Sequence, residues 1–286
     1  MTLGVLGCGG SDEEPQQPPA DSRTPVAITT RGDNVVNAER LQAGLFMVNY
    51  YGGEPDQLLP TANYVNNQRL TYSNNGWTTA TPIYWSDGQT PADFYAYAPY
   101  QPVVPDALHM AFSVATDQRT DEALSQSDLL WGKTEQQSAA GGAFNLEVSH
   151  VLSRLTVAVV AEAGFDEGEL RAADVSVTIG GTKTAATVDL STGAVLPEGT
   201  AADVACHSNG DLSYTAILLP QEVPFSNFIQ VDWKGNAYTL QNSFKLEARK
   251  QYSLTVKLKK SKNGFDIGIA GWDIVEEDFG GVIGGN

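Results

Sequence analysis

The chain has little cysteine, little positive charge and no long apolar run. Only two cysteines, Cys8 and Cys206, occur in 286 residues, which excludes a framework built on several disulfides. Seventeen Lys and Arg stand against 34 Asp and Glu, a formal net charge of −17. A surface this acidic repels phosphate backbones, so nucleic acid is not expected as a partner. No segment approaches the roughly eighteen consecutive apolar residues that a membrane helix needs.

The motifs of common enzymes and metal sites are also missing from the sequence. The three histidines, His109, His150 and His207, do not form pairs at metal-ligand spacing, and no HExxH, CxxC, GxSxG, P-loop or GxGxxG pattern occurs. Ser149 and His150 are adjacent on a predicted strand, so they point to opposite faces and cannot act as nucleophile and base. The acidic run 276–278, expected to follow the last strand, is interpreted as solvated charge. We therefore expect no enzymatic activity, no metal and no cofactor.

One stretch near the middle of the chain carries two strand patterns in different phase. From Phe144 to Val148 the apolar residues fall on even positions, and from Val151 to Val159 they fall on odd positions. Both patterns have the two-residue period of a half-buried strand. A slip of one residue, here within 150–154, turns every side chain to the opposite face. The stretch is therefore predicted to join two β domains.

Short β-prone runs separated by turn signals occupy both sides of this joint. About seven strands are predicted on each side, and 120–128 is the best helix candidate, barely two turns long. Pro82–Trp85 is predicted as a strand, Gly180-Gly181 as a turn and Lys234–Asn236 as a hairpin turn. Ala92–Tyr100 is predicted as a strand with alternating faces. The pattern is typical of an all-β chain with two antiparallel β-sandwich domains in tandem, at 26–149 and 150–286.

The start of the chain resembles a lipoprotein signal. Residues 1–8 end in Val5-Leu6-Gly7-Cys8, which is similar to a bacterial lipobox with Cys8 as the lipidated residue. No Lys or Arg precedes Cys8 and the apolar run is short, so the signal is interpreted as truncated. Residues 9–25 are polar and rich in proline, and are predicted to be a flexible tether.

The first predicted domain is rich in aromatic residues that have two interpretations. Core packing is the usual role of aromatics that alternate in strands. An exposed platform that stacks on sugar rings is the alternative, and it would make the chain a glycan-binding lipoprotein of the outer-membrane surface. The residues concerned are Trp77, Tyr84, Trp85, Tyr95, Tyr97 and Tyr100.

Several motifs together resemble the fimbrillins, which are pilus subunits and related surface lipoproteins of Bacteroidetes. They are spread over nearly the whole chain, and their order and spacing carry the resemblance. They are the lipobox ending at Cys8, the GLFMVNYY strand, Ile83-Tyr84-Trp85 feeding PADFYAYAPY, Asp128-Leu129-Leu130, Phe144-Asn145-Leu146 with His150, Leu152, Ser153, Leu155 and Val157, DLSTGAV, and the closing strands ending at Trp272.

The resemblance implies two transthyretin-like domains and export as a lipoprotein to the outer membrane, held there by the lipid. It further implies that an arginine-specific protease removes a first strand and that a neighbouring subunit fills the groove with its C-terminal strand. Other pilus subunits and host surface proteins or glycans are the implied partners. The displaced strand would be Val26, Ala27, Ile28, Thr29 and Thr30.

The same resemblance implies a cleavage site and a donor segment. Cleavage is expected at Arg31, which directly follows the predicted strand, with Arg23 and Arg40 as alternatives. Val275, Phe279 and Ile283 share one face of an extended C-terminal segment and form the candidate donor, although Glu277 lies on the same face. The place of the chain in a fibre, as stalk, tip or anchor subunit, stays open.

Overall fold

A computed structural model describes residues 23–29, 42–73, 76–162, 166–260, 267–269, 274–278 and 282–283. Strands dominate these residues, which confirms the all-β prediction. Two short helices, α1 (Asp121–Ser127) and α2 (Glu167–Arg171), occur in the described part. Helix α1 is the predicted one, and it begins where the Thr120 side chain accepts a hydrogen bond from the Ala123 N–H.

The first sheet is built mainly from the N-terminal half of the chain. Its strands are β1 (Ile28–Thr29), β2 (Gln42–Tyr51), β3 (Glu54–Pro55), β4 (Val65–Ser73), β5 (Gly76–Thr79), β6 (Ala92–Ala98), β8 (Leu130–Gln137), β9 (Phe144–Asn145), β10 (Val148–His150) and β21 (Val282–Ile283). Their order is β21-β10-β8-β6-β2-β4-β5-β1-β9, with β3 paired to β2. Only Leu146 and Glu147 separate β9 from β10, although these strands lie at opposite ends of the order, so the sheet curls back on itself.

Two further sheets face each other in the C-terminal half. Their strands are β7 (Met110–Ser113), β11 (Ser153–Ala161), β12 (Val175–Asp189), β13 (Ala194–Ala205), β14 (His207–Gly210), β15 (Ser213–Leu218), β16 (Gln221–Trp233), β17 (Asn236–Leu246), β18 (Lys250–Lys260), β19 (Ile267–Ile269) and β20 (Ile274–Asp278). One sheet has the order β14-β15-β11-β18-β19, with β20 also paired to β18, and the other has the order β13-β12-β16-β17, with β7 paired to β12. Their facing side chains form one buried cluster that includes Leu155, Ile179 and Phe228.

Strand β6 has the predicted alternation, and both of its faces are buried. Phe94 and Ala96 point into the core enclosed by the first sheet. Tyr95 and Tyr97 point the other way, into a third cluster shared with strands of the C-terminal half. The solvent side that an isolated sandwich would have is therefore covered by the other half of the chain.

The predicted phase slip in the joint is confirmed. Strand β10 ends at His150, β11 begins at Ser153, and the intervening Val151 and Leu152 are both buried in the third cluster. Strand β7, which precedes the joint in sequence, pairs with β12, which follows it. The two halves thus share both a core and a β ladder, and the boundary at 149/150 remains a prediction.

Three local predictions were wrong and one was confirmed. Pro82–Trp85 makes only an isolated bridge at Tyr84. Gly180-Gly181 lies inside the 15-residue β12 at a register shift, where Gly181 has φ of 76°, so the glycines form a bulge instead of a turn. The acidic run 276–278 lies within β20 instead of following the last strand. The hairpin predicted at Lys234–Asn236 is confirmed between β16 and β17, with Asn236 in β17 and the turn reduced to Lys234 and Gly235.

Candidate functional site

The site suggested by the sequence is the first strand and the slot that holds it. Strand β1 pairs antiparallel with β5, with Thr29 opposite Gly76, and parallel with β9, with Ile28 opposite Phe144. The N–H of Phe144 donates to the Ala27 carbonyl at 3.2 Å. The ladder is short because only Ile28 and Thr29 of the predicted strand lie in it, and Thr30 lies outside the described residues.

Backbone contacts extend beyond the ladder toward the N-terminus. The Val26 N–H donates to the Ile83 carbonyl at 2.8 Å, and the Trp85 N–H donates to the Thr24 carbonyl at 3.0 Å. The bridge at Tyr84 that replaced the predicted strand therefore holds the residues before β1. These bonds anchor the segment on the side where β5 ends.

The side chains of this segment alternate between the core and solvent. Val26 and Ile28 are half-buried and pack on the core of the first sheet, whereas Pro25, Ala27 and Thr29 are exposed. A strand with one apolar face covers the core and leaves the other face in water. The segment thus closes the core but is itself not deeply buried.

A cavity of about 160 Å³ lies between this segment and the first sheet. It is partly open to solvent, and its lining includes Val26 and Ile28 of the segment together with Trp77, Thr79 and Ile83. Trp77 is 7% exposed, and its Nε1 has no hydrogen-bond partner within the part of the chain that the structure describes. In the sequence Trp77 is only one of several aromatics, because periodicity does not show where a neighbouring strand leaves space.

The predicted cleavage and lipidation residues fall mostly outside the described residues. This holds for Cys8, Arg31 and Arg40. Arg23 is described, and its guanidinium lies 4.2 Å from the centre of the Tyr84 ring. Arg23 precedes β1, so cleavage there would leave the strand attached to the rest of the chain.

The candidate donor segment lies partly in backbone ladders of the same chain. Val275 pairs with Ser253 in the antiparallel β18–β20 ladder, and Ile283 pairs with Val148 in the antiparallel β10–β21 ladder. Phe279 lies outside the described residues. Donation of this segment to a neighbour would require both ladders to open.

Four of the six aromatic residues, Trp77, Trp85, Tyr95 and Tyr97, are buried in cores, whereas Tyr84 and Tyr100 are half-buried. Trp85 and Tyr97 are 2% and 0% exposed, and Trp85 packs edge-on against Phe94 with ring centres 5.6 Å apart. Trp77 is buried as described above. The four buried side chains therefore do not form an exposed platform for sugar rings.

A buried carboxylate in the first sheet was not anticipated from the sequence. Asp93 is 1% exposed and accepts hydrogen bonds from the Tyr50 hydroxyl and the Gln136 N–H, both at 2.9 Å. Lys133 Nζ lies 3.3 Å from its second oxygen. The only sequence signal is a charged residue within the otherwise apolar run of β6.

The remaining candidates for chemistry are placed in structural roles. His150 and His207 contact Asp128 and Asp121 at 2.9 Å, so the two imidazoles flank the ends of α1. No group of three or more potential metal ligands occurs within the described ranges. No helix in those ranges combines the length and apolarity needed to span a membrane.

The thiol of Cys206 is expected to be inert in the folded chain. Burial raises its pKa from 9.0 to about 12, and the thiolate is the reactive form. In a Cys8→Ser variant, Ellman's reagent should find no reactive thiol at about pH 8 and one per chain in denaturant. The pKa of the Cys206 thiol is higher in the folded chain than in the unfolded chain. The stability that the buried, protonated thiol contributes is therefore complete below pH 9 and is lost as the pH rises toward 12. Rapid labelling of the native variant would contradict the buried placement.

Comparison with known proteins decides the family. A model of the fimbrillin-like family matches residues 30–272. The chain belongs to the fimbrillin-like family. This confirms the resemblance drawn from the motifs, and the match covers most of the described strands.

Solved structures share the fold of this fimbrillin-like chain. A candidate cell adhesion protein from Bacteroides uniformis is 23% identical, with a TM-score of 0.69 over 91% of this chain and 99% of the other. A second, from Bacteroides ovatus, is 16% identical with a TM-score of 0.64 over 88% and 98%. A fimbrial protein from Bacteroides ovatus is 17% identical with a TM-score of 0.51 over 84% of this chain and 51% of the other. A search of curated proteins finds no match.

Proposed function

We propose that this fimbrillin-like protein is a structural pilus subunit or cell adhesion protein at the bacterial surface. Its assembly begins with proteolytic removal of β1, and a neighbouring subunit then supplies a replacement strand. The observation that supports this most is the placement of β1, a two-residue ladder inserted between β5 and β9. The solved relatives described as fimbrial and as candidate cell adhesion proteins support the same function class.

Removal of β1 would leave a site that favours another strand. The facing edges of β5 and β9 would lose their backbone partners, and apolar side chains such as Trp77 and Ile83 would meet water. Unpaired strand edges and exposed apolar surface both promote pairing with another chain. An added strand restores the hydrogen bonds and the burial in one step.

Cleavage after β1 is the step that would free the slot. Arg31 and Arg40 both follow the strand in sequence, whereas Arg23 precedes it and packs on Tyr84. A cut at Arg23 leaves the strand covalently attached to β2, so it cannot release the slot. Among these residues we propose Arg31 as the cleaved one, because it directly follows the strand.

The C-terminal segment around Val275 and Ile283 is the proposed donor. Its two described ladders, with β18 and with β10, would hold it on its own chain until a neighbour with an open slot is present. Exchange is then favourable only if the new pairing buries more than the old one. Lipidation at Cys8 would hold the subunit at the outer membrane during this step.

An Arg31→Lys variant is expected to remain monomeric under conditions in which the wild-type chain polymerises. Lysine keeps the charge but is not a substrate for an arginine-specific protease. After treatment with such a protease, the wild-type chain should shorten by its N-terminal segment and form a ladder on a non-boiled gel. The Arg31→Lys chain should show neither change.

Arg23→Lys is the matched control and should behave like the wild-type chain. Mass analysis of the trimmed product gives the boundary directly. A wild-type chain that is trimmed after Arg31 but stays monomeric at high concentration would contradict the proposed assembly. Trimming that persists in Arg31→Lys would move the boundary to another arginine.

A further inference from the structure

Asp93 and Lys133 meet end to end on neighbouring strands of the first sheet. Lys133 in β8 stands directly opposite Tyr95 in β6, so Asp93 is its diagonal neighbour on the same face. Lys133 Nζ lies 3.3 Å from Asp93 Oδ2. An amine at this distance from a carboxyl oxygen is also close to the carboxyl carbon. The pair is therefore placed for a reaction between the two side chains as well as for an ion pair.

The second carboxylate oxygen of Asp93 is held by two donors. The Tyr50 hydroxyl and the Gln136 N–H both donate to Oδ1 at 2.9 Å, whereas Oδ2 faces the lysine. Two fixed donors on one oxygen stabilise the negative charge that develops there when a nucleophile adds to the carbonyl carbon. Oδ1 thus lies in an oxyanion site, and Oδ2 is the oxygen that can depart.

A further carboxylate lies within reach of the lysine nitrogen. Glu135 Oε1 is 2.6 Å from Lys133 Nζ, and the ring centre of Tyr95 is 5.0 Å from the same nitrogen. An ammonium group is not nucleophilic, so the amine must first give up a proton. A carboxylate at hydrogen-bond distance can accept that proton. Glu135 is therefore placed as the proton acceptor of such a reaction.

The burial of Asp93 favours a covalent bond over an ion pair. Its side chain is almost fully buried, and burying two charges costs free energy that a neutral amide avoids. Groups fixed in a reactive orientation reach effective molarities of about 10⁵–10⁸ M. A carboxyl group shielded from water is also shielded from hydrolysis, which is the reverse reaction.

We propose that Lys133 and Asp93 condense to an amide that links β8 and β6 covalently. The Nζ–Cγ bond forms and the Cγ–Oδ2 bond breaks. Oδ2 leaves as water with two of the three protons that the lysine ammonium carried, and the third proton stays on the amide nitrogen. The reaction needs no oxidant and no second substrate. It concerns strands other than β1, so it is independent of strand replacement.

The condensation is expected to follow folding slowly. Burial lowers the pKa of Lys133, but hydrogen bonds to Glu135 and Tyr95 outweigh this effect and raise the pKa above its ordinary value. The neutral amine is therefore a minor form of this side chain. The ion pair should persist in the freshly folded chain and give way to the amide as the protein ages.

Intact-mass analysis of the full chain, fresh and after prolonged incubation, tests the bond. The wild-type chain should lose the mass of one water molecule. Its tryptic peptide 70–119 should become joined to 120–154, because trypsin does not cut after an acylated lysine. Lys133→Arg is the matched control, since it keeps a positive charge beside Asp93 and should keep its full mass. An unchanged wild-type mass, or an equal loss in Lys133→Arg, would overturn the proposal.

Two further variants test the chemistry of the step. Asp93→Asn should lose the mass of one ammonia molecule instead of one water, because the amide nitrogen then departs from Cγ. Glu135→Gln should slow the mass loss by about a hundredfold, and the Glu135 side chain is 64% exposed, so the core is not disturbed. Loss of water in Asp93→Asn would place the reaction at another carboxylate and overturn the proposal. An unchanged rate in Glu135→Gln would overturn the role of Glu135 as proton acceptor.

Discussion

Replacing Asp93 with alanine is expected to destabilise the chain by about 3 kcal/mol, which would show as a lower denaturant midpoint. The carboxylate is almost fully buried, and it accepts hydrogen bonds from the Tyr50 hydroxyl and the Gln136 N–H. Gln136 lies at the register shift between β6 and β8 and has φ of 54°. The carboxylate therefore satisfies a backbone donor that the ladder leaves unpaired.

Lys133 limits the size of this effect. Its side chain is 26% exposed and also contacts Glu135, so its charge keeps partial solvation when Asp93 is removed. Asp93→Asn is the matched control, because one amide oxygen can still accept from Tyr50 and Gln136. A loss of about 1 kcal/mol is expected for Asn. Equal losses for Ala and Asn would show that charge, not hydrogen bonding, is what Asp93 contributes.

The Asp93 variants are also expected to change the titration of Tyr50 at alkaline pH. Burial and the neighbouring Asp93 carboxylate raise the pKa of Tyr50 to about 12. Because the pKa of Tyr50 is higher in the folded chain, the stability that its protonated hydroxyl contributes is complete below pH 10. That stability is lost as the pH rises from 10 toward 12. In Asp93→Ala the pKa of Tyr50 should fall, which ultraviolet titration would detect. An unchanged tyrosine titration would contradict the contact.

Gly132→Ala is expected to destabilise the chain by about 3 kcal/mol, near the upper end for overpacking. A Cβ on Gly132 would overlap the carbonyl oxygen of Glu147, which belongs to the two-residue link between β9 and β10. Backbone cannot move aside as a flexible side chain can. The overlap would strain the link between β9 and β10. Because β9 pairs with β1, the strain would also weaken the site that holds β1.

Gly88→Ala is the matched control for this substitution. Gly88 is exposed, and a Cβ there would meet nothing within 4 Å. Its free energy of unfolding should stay within about 0.5 kcal/mol of wild type. Thermal or denaturant unfolding of the two variants side by side makes the comparison. A Gly132→Ala chain as stable as Gly88→Ala would show that β8 and the joint are not in close contact.

The strands were predictable where one physical pattern dominated. In β18 the alternating apolar residues of the sequence all lie on the buried face of the strand, namely Tyr252, Leu254, Val256 and Leu258. The hairpin at Lys234–Gly235 follows from local turn chemistry alone. Gly180-Gly181 misled the prediction because glycine pairs mark both turns and bulges, and only the partner strands β13 and β16 distinguish them.

The candidate site was less predictable than the fold. Residues 26–29 could be recognised as β-prone, yet the sequence does not indicate that β5 and β9 are their partners, since these lie far along the chain. The crevice beside β1 depends on how closely Val26 and Ile28 approach Trp77 and Ile83, which lie far along the chain. Such spacing is a property of packing between distant segments and leaves no local periodicity.

By itself the sequence determined the strand content, the phase change at the joint and the family, because backbone periodicity and motif order are written along the chain. Only the tertiary structure decided that β7 crosses into the sheet of the other half, that Asp93 is buried, and that β1 lies between β5 and β9. Each of these depends on which strands meet in space. Pairing between distant strands is set by the burial of whole faces, which no single segment encodes.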